Sequence, residues 1–101
     1  MEKINRLTKI LGFANRARKL TLGMSATQKG LQRGKIYLVI LAEDLSPNAA
    51  MKIHELTEPL NIAVFPCSTK NELGKLFGRN EVGIVGVGDT QFAKSIREIM
   101  A

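Results

Sequence analysis

Seven consecutive apolar residues, Ile36–Ala42 (IYLVILA), constrain this chain more than any other stretch. A strand with one wet face alternates apolar and polar side chains, and this run does not alternate. Its continuity, together with its β-branched members, reads as a central strand buried on both faces, which places helices above and below it. The run is also far too short to span a bilayer.

The flanking segments supply those helices. Over 4–18, Ile4, Leu7, Leu11 and Ala14 form one stripe with Ile10 and Ala17 at its edge, while Arg6, Lys9 and Arg16 occupy another side. Thr21 and Leu22 are too few to define an element. In GMSATQKGLQRGK (23–35), Ser25 stands where a helix cap would sit and Gly34 where a helix would stop. Ser46 and Pro47 read as cap and first helical position, with Ala49, Ala50, Ile53 and Leu56 as the inner face. NIAVF (61–65) is a second strand closed by Pro66. Thr69 and Glu72 form a T-x-x-E capping box ahead of Leu73, Leu76 and Phe77, and Gly78 ends that helix. Val82–Val87 is a strand whose Gly83 and Gly86 imply that something packs closely on it. Asp89 or Thr90 caps a last helix that buries Phe92, Ile96, Ile99 and Met100. Regular alternation of helix and strand, with no linker or repeat, predicts an α/β fold: a three-layer α/β/α sandwich as one domain over 1–101.

The net charge of +6 becomes informative once it is located. Residues 1–35 carry nine basic side chains against Glu2 alone, or +8, and the remainder carries six basic against eight acidic, or −2. A one-sided balance of this kind points to a polyanionic partner, nucleic acid or an anionic membrane surface. Cys67, the single cysteine, cannot form an internal disulfide, and no apolar core of a secretory signal opens the chain, so a cytoplasmic protein is expected.

Candidate chemistry is sparse. The first-turn amides of the 25–33 helix, with Lys29 four residues before Arg33, could face an anion, or the segment is simply a capped surface helix. Gly30 within it costs about 1 kcal/mol relative to alanine, which implies tight packing against the core or a ligand. Glu43 and Asp44, at the end of the central strand, could hold Mg²⁺, or they serve the following helix and loop. GIVGVGD (83–89) lacks the G-x-G-x-x-G order of a dinucleotide loop. His54 and Cys67 have no partner at metal-ligand spacing and read as structural. Tyr37 lies within the buried run, and Phe13 lies among Arg6, Lys9 and Arg16, at the edge of an apolar face. Nothing assembles into a catalytic constellation, which favours a binding module over an enzyme.

Four segments taken in order carry a resemblance: LGFANRARKL (11–20); Gly23, Lys29, Arg33 and Gly34; LVILAED through Pro47; and STKNELGKLFGRNEV (68–82). Together they resemble the kink-turn-binding ribosomal protein superfamily, of the archaeal L-seven-Ae and L-thirty-e type, and most of all its small bacterial YlxQ-like members. The resemblance covers nearly the whole chain. It implies a mixed four-stranded sheet and binding of structured RNA, a kinked stem or ribosomal RNA, with no catalysis, cofactor, metal or DNA. It also implies three RNA-gripping segments. The first is Gly23, Met24, Ser25, Ala26 and Lys29, with Arg33 beyond. The second runs from Glu43 through Ser46 to Pro47. The third is Arg79, Asn80, Glu81 and Val82. Strong kink-turn binders carry Asn-Glu in the first segment to read sheared G·A pairs, whereas this chain has Ser25 and Ala26. Phosphate positioning is thereby kept and base reading weakened. The alternative is a protein-interaction module on the same scaffold.

Overall fold

The computed structural model describes residues 2–101. Five helices and four strands follow in the order α1 (Glu2–Arg16), β1 (Leu20–Leu22), α2 (Met24–Gln32), β2 (Leu38–Leu41), α3 (Pro47–Thr57), β3 (Ala63–Pro66), α4 (Lys70–Leu76), β4 (Ile84–Val87) and α5 (Thr90–Met100), with a 3₁₀ turn at Glu58–Leu60. The strands form one sheet in the order β1-β4-β2-β3. β4 runs antiparallel to both β1 and β2, while β2 and β3 are parallel, so the sheet is mixed.

All four residues of β2 are buried. Successive side chains point to opposite faces. Leu38 and Ile40 therefore join a core cluster with Leu7 and Leu11 of α1, Leu73 of α4 and Ile96 of α5. Val39 and Leu41 join a second cluster with Leu31 of α2 and Ile53 of α3. The sandwich has α1, α4 and α5 on one face of the sheet and α2 and α3 on the other, as the unbroken apolar run requires. Full burial of each such side chain contributes roughly 1.5–3 kcal/mol. Among the described residues no helix is long and apolar enough to cross a membrane.

Local signals place most boundaries. Ser46 Oγ accepts from the Ala49 amide at 3.3 Å with Pro47 in the first turn. Thr69 and Glu72 close the capping box, and of the two candidates for α5 it is Asp89 that caps, accepting from the Phe92 amide at 2.9 Å. Gly34 and Gly78 take positive φ just beyond α2 and α4.

Four expectations change. Residues 20–22 do form a strand, paired only with β4, because β4 supplies the ladder that three residues cannot supply alone. Helix α1 stops at Arg16 because Arg18 turns left-handed (φ 59°). Ile4 is 43% exposed, so the inner stripe of α1 begins at Leu7. Tyr37 is 39% exposed: its amide bonds the Val87 carbonyl at 2.9 Å, but its ring lies outside the β2 core.

The strand and helix glycines are sites of close packing. A Cβ on Gly30 would sit 2.6 Å from Ile36 Cγ1, so its small size seats α2 on the protein's own core. A Cβ on Gly83 would meet Leu45, and one on Gly86 would overlap Thr21 Oγ1. Thr21 Oγ1 and buried Thr27 Oγ1 share a hydrogen bond at 2.8 Å, which pins α2 to the edge strand. Gly86→Ala is expected to push this pair apart and cost about 1–3 kcal/mol, as overpacking does. In urea titrations this lowers the midpoint while leaving the slope unchanged.

Candidate nucleic-acid interface

The ends of β1, β2 and β3 and the start of β4 meet at one end of the sheet, and a relay of backbone bonds ties their loops together. The Gly23 amide donates to the Ile84 carbonyl (2.8 Å), Ala42 to Gly83 (2.9 Å) and Glu43 to Ser68 (2.8 Å). Val82 donates to the Lys70 carbonyl at 3.0 Å. Asp44 Oδ1 accepts from the Lys70 amide at 2.8 Å. The three segments marked in the sequence, beginning at Gly23, Glu43 and Arg79, therefore lie side by side.

The N-terminus of α2 differs from the sequence expectation. Its cap is Gly23, with φ 94° and ψ 168°, and no side chain caps the helix. Ser25 lies inside the first turn because β1 runs straight into the helix through Gly23, two residues earlier than Ser25 would start it. The amides of Met24, Ser25 and Ala26 are thus left to solvent or a ligand, at the positive end of the helix dipole. Ser25, Ala26 and Lys29 are exposed, and Met24 is half-buried. Such a terminus is suited to an anion.

In the second segment Glu43 and Ser46 are exposed. Asp44 serves α4, 26 residues on, rather than the helix that follows it. In the third, Arg79, Asn80 and Glu81 are exposed, but Val82 is 4% exposed and belongs to the core. Strand β4 begins at Ile84 rather than at the expected Val82, and Val82 packs inward in the same core cluster as Leu73 of α4. Gly74 shapes this loop: a Cβ there would lie 2.6 Å from the Asn80 carbonyl oxygen. Neither that contact nor the Asp44 tether is legible in sequence: the first depends on how the loop folds back over α4, and the tether joins residues 26 apart. Arg33 is not at this end of the sheet. It caps the far end of α2, in a groove with Arg18, Lys19 and Lys35.

The remaining candidates are placed elsewhere. Phe13 is 56% exposed, with the Arg16 guanidinium carbon 4.9 Å from its ring centroid. His54 is exposed on α3. Among the described residues no group of three or more His, Cys, Asp or Glu could hold a metal ion. Cys67 is buried beneath the site; burial pushes its thiol above the ordinary range, a hydrogen bond to Ser68 opposes this, and Glu43 and Glu72 add to the rise.

The Ribosomal protein L7Ae/L30e/S12e/Gadd45 family matches residues 5–96. The chain belongs to this family. Over 91 residues it is 30% identical to the RNA-binding protein YlxQ of Bacillus subtilis (strain 168), covering 90% of this chain and 91% of that one. The RNA-binding protein YlxQ of Enterococcus faecium is 26% identical over 91 residues, 90% of this chain and 87% of that one. A solved structure described as a protein with unknown function from Bacillus halodurans C superposes with a TM-score of 0.89 at 28% identity, over 94% of this chain and 96% of that one. The Giardia lamblia 15.5kD RNA binding protein shares the fold, with a TM-score of 0.83 at 20% identity, over 99% of this chain and 86% of that one. The resemblance read from the four sequence segments thus holds, and the mixed four-stranded sheet it implied is the one found here.

Two outcomes follow for the site's frame. The Gly23 backbone lies in a region essentially confined to glycine, so Gly23→Ala is expected to cost on the order of 1–3 kcal/mol in chemical denaturation. The folded Cys67 thiol titrates above its unfolded value, so the unfolded chain releases the proton first. Stability therefore falls as pH rises through the unfolded thiol's pKa. Cys67→Ala should lack that component of the alkaline decline in denaturation midpoints.

Proposed function

We propose that this protein is a non-catalytic, single-domain cytoplasmic binder of structured RNA. Its target is a kink-turn or a similarly bent stem, such as those in ribosomal RNA. The reading rests on one observation above the others: an uncapped helix N-terminus and two exposed loops are held side by side at one end of the sheet. The names of the YlxQ relatives support the ligand class.

The tasks divide by residue chemistry. The amides of Met24, Ser25 and Ala26 and the ammonium of Lys29 hold phosphate. Glu43 and Ser46 approach an unstacked nucleotide from the second loop, and Arg79, Asn80 and Glu81 support it from the third. Ser25 can exchange one hydrogen bond with a base edge, while Ala26 has none to offer. Recognition therefore leans on charge, backbone amides and RNA shape more than on base reading.

Fluorescence anisotropy against a labelled kinked stem tests this across a salt series. Affinity should fall steeply with salt, and Lys29→Ala should flatten the slope of log K against log salt by about 1. Equal affinity for a straight duplex of the same length defeats kink recognition. Recovery from cells of a protein partner that survives nuclease, with no RNA retained, would favour the protein-interaction alternative.

A further inference from the structure

A larger cationic feature adjoins the end-of-sheet site and shares Lys29 with it. Between α2 and the turn joining α1 to β1 runs a groove of about 330 Å³. Arg18 and Lys19 line one side, Lys29 and Arg33 the other, and Lys35 closes it. Among the described residues, none that lines it is acidic. Its floor is apolar or small, made by Leu20, Ile36 and Gly88.

The helix side of the groove is a regular stripe. Ala26, Lys29, Gly30 and Arg33 follow at i, i+3, i+4 and i+7, which puts them on one helix face. Gly30 lets Ile36 of the floor press against the helix between the two cations. The walls are pre-formed: Lys19 is held by its amide to the Ala14 carbonyl (2.9 Å) and by its carbonyl to the Gly88 amide (2.7 Å). The Lys35 amide donates to the Gly30 carbonyl at 2.8 Å. Five cations in one concavity repel each other, and their side chains are exposed rather than built into the core. An anionic occupant relieves that repulsion. The apolar floor accepts the sugar side of a ribose-phosphate strand, which a bare anion would leave empty.

We propose that this groove is a second RNA station, holding the backbone of the stem that flanks the bent element through Arg18, Lys19 and Lys35. This rests on the RNA-binding reading above. Helix α2 connects the two stations: its nine residues span about 14 Å at 1.5 Å per residue. A strand lying along it passes several phosphates. Lys29, on the stripe between the ends, serves both.

The test uses full-length protein and two labelled bent stems, identical at the kink, whose flanking arm is either short or longer by half a helical turn. Wild type is expected to bind the long-arm stem about tenfold tighter and with a steeper salt slope, as extra neutralised phosphates require. The variant combining Lys19→Gln and Lys35→Gln is expected to lose that gain and flatten the long-arm slope by about 1–2. It should match wild type on the short arm and in urea midpoint. If wild type and variant share one affinity and slope on the long arm, the groove proposal is overturned while the end-of-sheet reading stands. Wild type binding neither stem overturns both. Equal displacement of the long arm by poly-glutamate at matched charge overturns the groove's preference for a ribose-phosphate chain.

Discussion

Strand β2 has no face that water can wet, and the rest of the molecule is arranged around that fact. Leu38 and Ile40 need cover on one side of the sheet and Val39 and Leu41 on the other. The two helical layers follow from this demand. The strand's neighbours follow as well, because buried backbone groups on both of its edges must be paired. Antiparallel β4 and parallel β3 supply those pairs. Once both faces are covered, the loops at the strand ends are the parts of the scaffold free to vary and to carry chemistry.

That division explains why the exposed polar residues of the site gather where they do. The loops after β1, β2 and β3 and the loop before β4 emerge together, and backbone bonds among them remove most of their freedom. The Asp44 carboxylate crosses from one loop to the start of α4 and makes a frame of what would otherwise be separate turns. A frame of this kind costs little ordering entropy on binding. The positive charge is laid down differently. It follows α2 from the uncapped first turn to the cationic groove at its far end, so the loop frame and the positive charge occupy adjoining parts of one surface.

Much of this was legible in the residues. The apolar run called for a sandwich, and Ser46–Pro47, Thr69–Glu72 and Asp89 mark three helix starts by side chains that bond their own neighbours. Those signals are local, so sequence carries them. The family segments pointed to Gly23, to the Glu43–Pro47 loop and to Arg79–Val82. What misled was also local reasoning. Ser25 has the chemistry of a cap, but β1 delivers the chain into α2 two residues earlier, through a glycine in a conformation a serine does not adopt. Val82 was assigned to the surface loop and Tyr37 to the core; the course of the adjoining strand reverses both.

By itself, the sequence determined the layer count, the sheet's buried centre, the basic first third and most helix starts, because each depends on side chains within a few residues of one another. The tertiary structure alone decided which glycines are spacers, against Ile36, Leu45 and Thr21, and which carboxylate joins two loops. It alone placed Arg33 with Arg18, Lys19 and Lys35. Apart from Gly30 against Ile36, those facts depend on distances between segments far apart along the chain, and only the packed sheet sets such distances.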